Sequence, residues 1–293
     1  MLPRLVKWPG GKERLLPQYE PFLPEGAIAE YYEPCVGGGA MFFFLRQQGR
    51  LTGYVRLSDS NPYLINLYQV CRDDPDGLCA AVQGFQDRYV EPAVYYRVRD
   101  EFNAELNQVR WGDVYQAARF LFLTRASING LVRFRKLPPY TFNPPVGYQR
   151  KGDEKVLNKV FFPDDIRQCS ILLQGVDLRC ESIEWLQGFE RQRQGGICLM
   201  FVDPPYSPVK KGAFNAYHQP FGEDKQMNLV PMLEHCAQQG AIVLTANSTS
   251  PTIDLVYGSH RKHIVQAARS INRDGSKRGP VDEYLIEVTK THD

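Results

Sequence analysis

The chain has 293 residues, of which 35 are Lys or Arg and 33 are Asp or Glu, for a formal net charge of +2. With 43% hydrophobic residues it carries enough apolar side chain for a full core, which excludes general disorder. No stretch reaches the roughly 18 consecutive apolar residues of a membrane helix, and a start with Arg4, Lys7 and Lys12 but no apolar run does not read as a secretory signal.

Taken in chain order, the first motif is Lys7-Trp8-Pro9-Gly10-Gly11-Lys12, where the Trp either walls a pocket or caps the terminus. Residues 30–33 read as a short strand, followed by Pro34-Cys35-Val36-Gly37-Gly38-Gly39 and an apolar helix from about Ala40. Glycines after a strand let a cofactor approach the backbone closely. The spacing GxGxxG is absent and no basic residue stands by for a pyrophosphate, which favours a cofactor without phosphate over a dinucleotide; a plain tight turn stays open. Residues 53–57 read as a second strand ending at Ser58-Asp59. Asp59 is placed either to bind ribose hydroxyls or to cap the next helix. Asn61 is the expected N-cap of that helix, with Pro62 at its first position and Leu64, Ile65 and Tyr68 on its apolar side.

From about residue 75 to 151 the texture changes. Val114, Ala117, Ala118, Leu121 and Phe122 recur at helical spacing, and a loop rich in Pro, Gly and aromatics spans 137–147, which predicts an inserted helical module with an irregular edge. Between 114 and 152 there is no Asp or Glu, yet Arg119, Arg125, Arg133, Arg135, Lys136, Arg150 and Lys151 all fall there. A second basic cluster holds Arg261, Lys262, Arg269, Arg273, Lys277 and Arg278 against Asp274. Acids gather elsewhere, at Asp73, Asp74, Asp76, Asp100, Glu101 and Glu105 among others. Such segregation suits a groove for nucleic-acid phosphates, with a solvated charged face as the plainer alternative.

After the insert, residues 171–173, 197–202 and 241–245 are continuous apolar runs, the pattern of parallel strands buried on both faces. A helix with Leu229, Met232, Leu233 and Cys236 on one side separates the last two. Residues 264–267 and 284–288 flank a basic turn as a β-hairpin. Alternating strands and helices predict an α/β fold with a doubly wound sheet and ligands at the strands' carboxyl ends. Seven cysteines without CxxC spacing and five histidines without HExxH predict neither a disulfide framework nor a metal site, and suit a reducing cytoplasm.

The sharpest motif is Asp203-Pro204-Pro205-Tyr206, directly after the run 197–202. A carboxylate accepts a hydrogen bond from an exocyclic amine, and Pro204, lacking an N–H, offers its carbonyl as a second acceptor. Tyr206 provides a flat face worth roughly 1–3 kcal/mol to a stacked base. Adenine N6 is a poor nucleophile because its lone pair is delocalised into the ring. Accepting both of its hydrogens pulls the pair back toward nitrogen.

The ordered set KWPGGK, EPCVGGG, SDSNPYLINLY, VYYRVRDEFN, SINGLVRF, FVDPPYSP and RSINRDGSKRGPVDE, from residue 7 to about 288, resembles the Dam family of DNA adenine-N6 methyltransferases. The resemblance implies a Rossmann-like methyltransferase fold that uses S-adenosylmethionine, with a helical target-recognition domain inserted after the second strand. On that division 1–72 carries the cofactor loops, 73–155 recognises DNA, and 156–293 carries the DPPY loop and the basic hairpin. Trp8, Lys12, Cys35, Val36, Gly37, Gly38, Gly39, Asp59 and Asp203 are implied to line the cofactor pocket, with Ser182 and Ile183 at the cofactor adenine. Asp203, Pro204, Pro205 and Tyr206 are implied to hold the flipped target base. Asn129, Leu131, Arg133 and Pro145 match the positions that read GATC, with Arg133 suited to guanine O6 and N7 and Lys7 to an outer guanine. Arg125 and Asn143 are implied at phosphates, as the basic segment with Arg269, Lys277 and Arg278 is. Ile128 stands where Dam enzymes often place an aromatic wedge, and an aliphatic wedge is physically possible.

The reading is therefore of a cytoplasmic enzyme, a monomer or weak dimer without metal, that binds double-stranded DNA, flips an adenine and methylates it by direct in-line transfer. Asp203 is expected as an orienter, ionised with a pKa of about 4. Methylation of an RNA adenine or another planar amine, and a catalytically dead DNA-binding relative, are the rivals. The acid-free insert favours duplex DNA over the first, and the intact DPPY motif and glycine loop oppose the second.

Overall fold

The computed structural model describes residues 2–85, 91–135, 141–151, 154–193, 195–206, 221–268 and 280–290. A single turn, α1 (Leu16–Tyr19), precedes β1 (Ile28–Glu33), the glycine loop and α2 (Ala40–Gln47). β2 (Leu51–Asp59) leads to α3 (Pro62–Asp73). Asn61 caps α3 as predicted, its Oδ1 accepting from the Tyr63 and Leu64 N–H groups at 3.1 and 3.3 Å.

The helical stretch is α4 (Pro75–Phe85), α5 (Pro92–Ala104) and α6 (Val114–Ala126). Asp113 caps α6, its Oδ1 accepting from Gln116 N–H at 2.9 Å. From Gln116 to Ala126 every residue except Arg119 is buried, so α6 is a core helix around which α3, α4 and α5 pack. A 3-10 turn (Ile128–Gly130) follows, then an antiparallel pair that the sequence did not announce, β3 (Tyr148–Lys151) and β4 (Glu154–Leu157).

Residues 171–173, expected as a strand, are instead the last turn of α7 (Pro163–Leu173). Pro163 opens this helix, and Asp164 and Asp165 occupy the first turn, where the helix dipole favours acids. Ile166, Cys169, Ser170 and Leu173 form its buried side, while Ile171 is 71% exposed. The strand in this region is β5 (Asp177–Cys180).

β6 (Ile197–Val202), α8 (Glu223–Gln238), β7 (Ile242–Ser248), α9 (Pro251–Val256), β8 (Arg261–Ala268) and β9 (Pro280–Val288) complete the chain. The predicted hairpin is present as the antiparallel pair β8–β9. Its basic turn, with Arg269, Lys277 and Arg278, lies outside the described residues.

The seven-stranded sheet runs β5-β2-β1-β6-β7-β9-β8. β1 pairs in parallel with β2 and β6, and β6 with β7, whereas β9 is antiparallel to both β7 and β8. This is the doubly wound, Rossmann-like α/β arrangement expected, closed by one reversed strand. Sequence order reverses between β1 and β6, so the loops after those strands part and leave a crevice at their carboxyl ends. β8 is one of the two edge strands. Gln18 finishes its edge by accepting from the Gln266 N–H at 2.8 Å and donating to the Gln266 carbonyl at 3.1 Å.

The chain divides into two compact units. One holds the residues through Gly11 and Asn61–Cys180, with helices α3 to α7. The other holds Lys12–Ser60 and the described residues from Glu181 on, with a core of Met200, Val202, Leu229, Leu233, Val243 and Ile286. Among the described residues no helix is long and apolar enough to cross a membrane.

Candidate active site

In the second unit the buried strand β6 delivers Asp203-Pro204-Pro205-Tyr206 to the crevice beside the end of β1. Side chains from three distant parts of the chain hold this loop. Lys12, only 5% exposed, brings its Nζ to 3.1 Å from Asp203 Oδ1 and 3.5 Å from Glu283 Oε2. The same ammonium sits 4.7 Å from the centre of the Tyr206 ring. The Tyr206 hydroxyl donates to Glu283 Oε2 at 3.0 Å. Gln226, fully buried on α8, donates to the Pro205 carbonyl at 3.1 Å and accepts from Asn247 Nδ2 of β7 at 3.0 Å.

Burial governs the electrostatics here. It lifts the Asp203 carboxyl to about 6, against the pull of Lys12 and with the added push of Glu283. The expected value near that of an ordinary carboxylate is thereby corrected: removal from water outweighs the ammonium. Burial acts against the Lys12 charge, but Asp203 and Glu283 together raise its pKa above the ordinary lysine value. Burial first, then the two carboxylates, push the Tyr206 phenol well up, so it stays protonated as a donor. At the end of β1, burial pushes Glu33 up to about 8, although the Tyr31 hydroxyl donates to its Oε2 at 2.6 Å. Glu33 is thus predominantly a neutral acid at pH 7. Burial, aided by Asp59, Asp203 and Glu33, raises the Cys35 thiol, which disqualifies it as a nucleophile.

The glycine loop closes on the end of β2. Val36 N–H donates to the Ser58 carbonyl at 3.0 Å, Gly37 N–H to Asp59 Oδ2 at 3.1 Å, and Gly39 N–H to the Val36 carbonyl at 2.7 Å. Gly37 and Gly39 hold φ of 48° and 66°, left-handed values that favour glycine. Cys35 and Gly38 are half-buried. The Asp59 carbonyl accepts from Glu181 N–H at 3.1 Å, which sets Ser182 and Ile183 beside the end of the same strand. Ser182 is exposed, and Ile183 lines a cavity of about 400 Å³ with Phe221, Leu229 and Met232. These groups fit S-adenosylmethionine chemically. Asp59 is an acceptor for hydroxyls, the loop has no cation waiting for a phosphate, Ile183 offers an apolar wall to a base, and two carboxylates to one ammonium favour a cationic ligand. Among the described residues no group of His, Cys, Asp and Glu is placed to hold a metal ion.

In the first unit the N-terminal arm and the expected reading residues come together. Gly130, at φ 69°, lies so close to the arm that a Cβ there would meet Lys7 Cγ and the Lys7 carbonyl oxygen at 2.6 Å. Lys7 is exposed and Trp8 half-buried, the Trp8 carbonyl accepting from Gly11 N–H at 3.3 Å. Ile128 and Asn129 are exposed side by side, Asn129 with an unusual φ of 53°. Ile128 N–H donates to the Pro145 carbonyl at 3.0 Å, and Leu131 N–H to the Ile128 carbonyl at 3.0 Å. Arg133 Nε donates to Asn143 Oδ1 at 2.6 Å, so two residues implied in separate roles are partners.

Arg125 departs from the phosphate contact implied for it. It is 7% exposed, and its guanidinium donates to the Leu5 carbonyl at 2.9 Å and to the Arg4 carbonyl, with Asp165 at 3.5 Å. An arginine so enclosed fastens the N-terminal arm rather than facing solvent. Glu283, Glu33, Gln226 and Asn247 were missed from sequence. Glu283 stood at the acidic end of the quoted RGPVDE stretch, whereas nothing marked Gln226 or Asn247.

The family model described as D12 class N6 adenine-specific DNA methyltransferase matches residues 8–271. Type II methyltransferase M.MjaIII of Methanocaldococcus jannaschii is 32% identical over 93% of this chain and 94% of its own. The DNA adenine methylase of Escherichia coli K12 is 30% identical over 96% of this chain and 93% of its own. Among solved structures, the rRNA methyltransferase aviRa of Streptomyces viridochromogenes overlaps 96% of this chain and 86% of its own at 13% identity and a TM-score of 0.34, which adds nothing to the sheet described above.

Proposed function

The chain belongs to the D12 class N6 adenine-specific DNA methyltransferases, and from that membership we propose that it methylates adenine N6 within GATC of duplex DNA, using S-adenosylmethionine. The observation that carries the reading is Asp203-Pro204-Pro205-Tyr206 clamped at the strand-order reversal by Lys12, Gln226 and Glu283. When bound, S-adenosylmethionine supplies an electrophilic methyl on a sulfonium, taken up by the amine directly and without a covalent enzyme intermediate. Trp8, Lys12, Cys35 to Gly39, Asp59, Ser182 and Ile183 are the residues to hold it.

The chain's own part is to receive and orient the base. The insert spanning 73–155 binds the duplex, with Asn129, Leu131, Arg133 and Pro145 reading bases and Lys7 adding a contact. Ile128, 38% exposed, fills the gap left by the extruded adenine, which leaves the stack at a cost of a few kcal/mol. Asp203 and the Pro204 carbonyl accept the two N6 hydrogens while Tyr206 stacks on the ring. As nitrogen gains the methyl it loses one hydrogen as a proton. A carboxylate at about 6 is better matched to that proton than an ordinary aspartate. Positioning and electrostatics supply the rest of the acceleration.

The test is expression in a methylation-free host and mapping of N6-methyladenine by sequencing. Methylation at GATC is expected. A different motif overturns the roles of Asn129, Leu131 and Arg133, and absence of the mark on DNA overturns the function. In the purified protein Asp203→Ala abolishes transfer while DNA binding survives; full turnover in that variant would sink the mechanism. Tritium transfer to DNA, RNA and protein side by side separates the RNA and amide rivals.

A further inference from the structure

We propose that Glu283 is a positioning residue for methyl transfer, fixing the Tyr206 ring and drawing the Lys12 ammonium partly off Asp203, so that base platform and acceptor meet adenine in one geometry. The inference rests on the adenine-methyltransferase reading above and deepens it.

Topology explains how an acid so late in the chain reaches this place. β9 is antiparallel to β7, so its beginning lies at the carboxyl end of the parallel strands, with Glu283 in register beside Ser248 at the end of β7. One oxygen then serves two partners: Glu283 Oε2 accepts from the Tyr206 hydroxyl at 3.0 Å and stands 3.5 Å from Lys12 Nζ. Anchoring the far end of a phenol ring fixes where its face lies, and small displacements of a group that aligns the reacting base carry large rate penalties. The ammonium matters equally. Lys12 lies 3.1 Å from Asp203 Oδ1, the carboxylate that has to accept from N6. Without Glu283 this charge would be directed at Asp203 and would compete with the adenine amine for its oxygens. With Glu283 the charge is shared.

The experiment uses the full-length enzyme and a DNA duplex carrying 2-aminopurine at the target adenine to report the flipped base. Glu283→Ala, Glu283→Gln, Tyr206→Phe and the Ala/Phe double variant are compared by single-turnover rate, by KM for DNA and by the affinity for S-adenosylmethionine. Loss of one such hydrogen bond is worth about a tenfold change in rate or binding. Glu283→Ala, measured at saturating S-adenosylmethionine, is expected to slow transfer about tenfold or more and to weaken the 2-aminopurine signal. Glu283→Gln, whose amide oxygen still accepts from Tyr206 but carries no charge for Lys12, restores the fluorescence and only part of the rate. The Ala/Phe pair loses no more fluorescence than either single variant.

A folded Glu283→Ala enzyme with wild-type rate and fluorescence overturns the proposal, and so do losses that multiply in the double variant. Should the Ala variant fail to fold, Glu283→Gln and Tyr206→Phe decide: fluorescence kept in the first and reduced in the second supports the proposal, and any other pattern overturns it. A wild-type enzyme that leaves adenine unmethylated instead refutes the reading beneath it.

Discussion

Asp203 has to be ionised to accept from an amine, yet its burial favours the neutral form. Burial lifts it to about 6, and Lys12 is the largest influence opposing that rise. At saturating DNA and cofactor, transfer should therefore climb as pH passes through about 6 and level off above it, because the acceptor form is the deprotonated one. Lys12→Met removes the lowering influence, leaves burial and Glu283 acting upward, and should move this acid limb to higher pH. The pH–rate profile of the two enzymes is the check. A limb at the same pH in both would mean that Lys12 does not set the state of Asp203. Glu33, close enough for the Asp203 charge to raise its pKa further, titrates higher, at about 8, and so stays neutral through this acid limb.

At the scale of elements, the loop around the 3-10 turn Ile128–Gly130 is held from two sides. Lys7 presses on Gly130, and on the other face Gly147 lies so close that a Cβ would meet Ser127 O at 2.7 Å and Ile128 Cα at 2.9 Å, as well as Asn158. An alanine at Gly130 would have to adopt a left-handed φ, at roughly 1–2 kcal/mol, and also displace Lys7. Gly130→Ala is thus expected to cut the ratio of specific to non-specific DNA affinity about tenfold, with a smaller loss of S-adenosylmethionine binding transmitted through Trp8, since Cys35 to Gly39 and Asp59 lie in the other unit. Unchanged discrimination in a gel-shift competition would refute the bracing. Asn61 before Pro62, the glycine turn after β1, and Asp203 after an unbroken apolar run are local signals, each written in adjacent residues. The misassigned residues 171–173 show the limit of a short apolar run, since a helix end and a strand look alike over three positions until Pro163 and the acids behind it are weighed. Lys12, Asp203 and Glu283 meet only because an antiparallel strand returns to the crevice, and no spacing in the chain encodes that encounter. The same holds for Arg125, whose carbonyl partners lie at Arg4 and Leu5.

For the whole molecule, a net charge of +2 understates how unevenly the cations are used. Of the cations in the acid-free window from 114 to 152 whose side chains are described, Arg119 and Arg125 are held in ion pairs and Arg133 donates to Asn143. Arg119 pairs with Glu101 at 3.4 Å and Glu105 at 2.9 Å, and Arg125 is enclosed beside Asp165. Arg135 is exposed. Each phosphate neutralised contributes about −0.9 to the slope of log affinity against log salt. Binding of a duplex should therefore follow the exposed basic residues rather than the sum of charges. Arg135→Ala should flatten the slope by about 1, whereas Arg119→Ala should leave the slope alone and lower the melting temperature instead, because it removes the two ion pairs that tie α6 to Glu101 and Glu105. Titrations from low to moderate salt distinguish the two variants. Equal flattening in both would mean that Arg119 leaves Glu101 and Glu105 for the DNA, and that the internal ion pairs give way on binding.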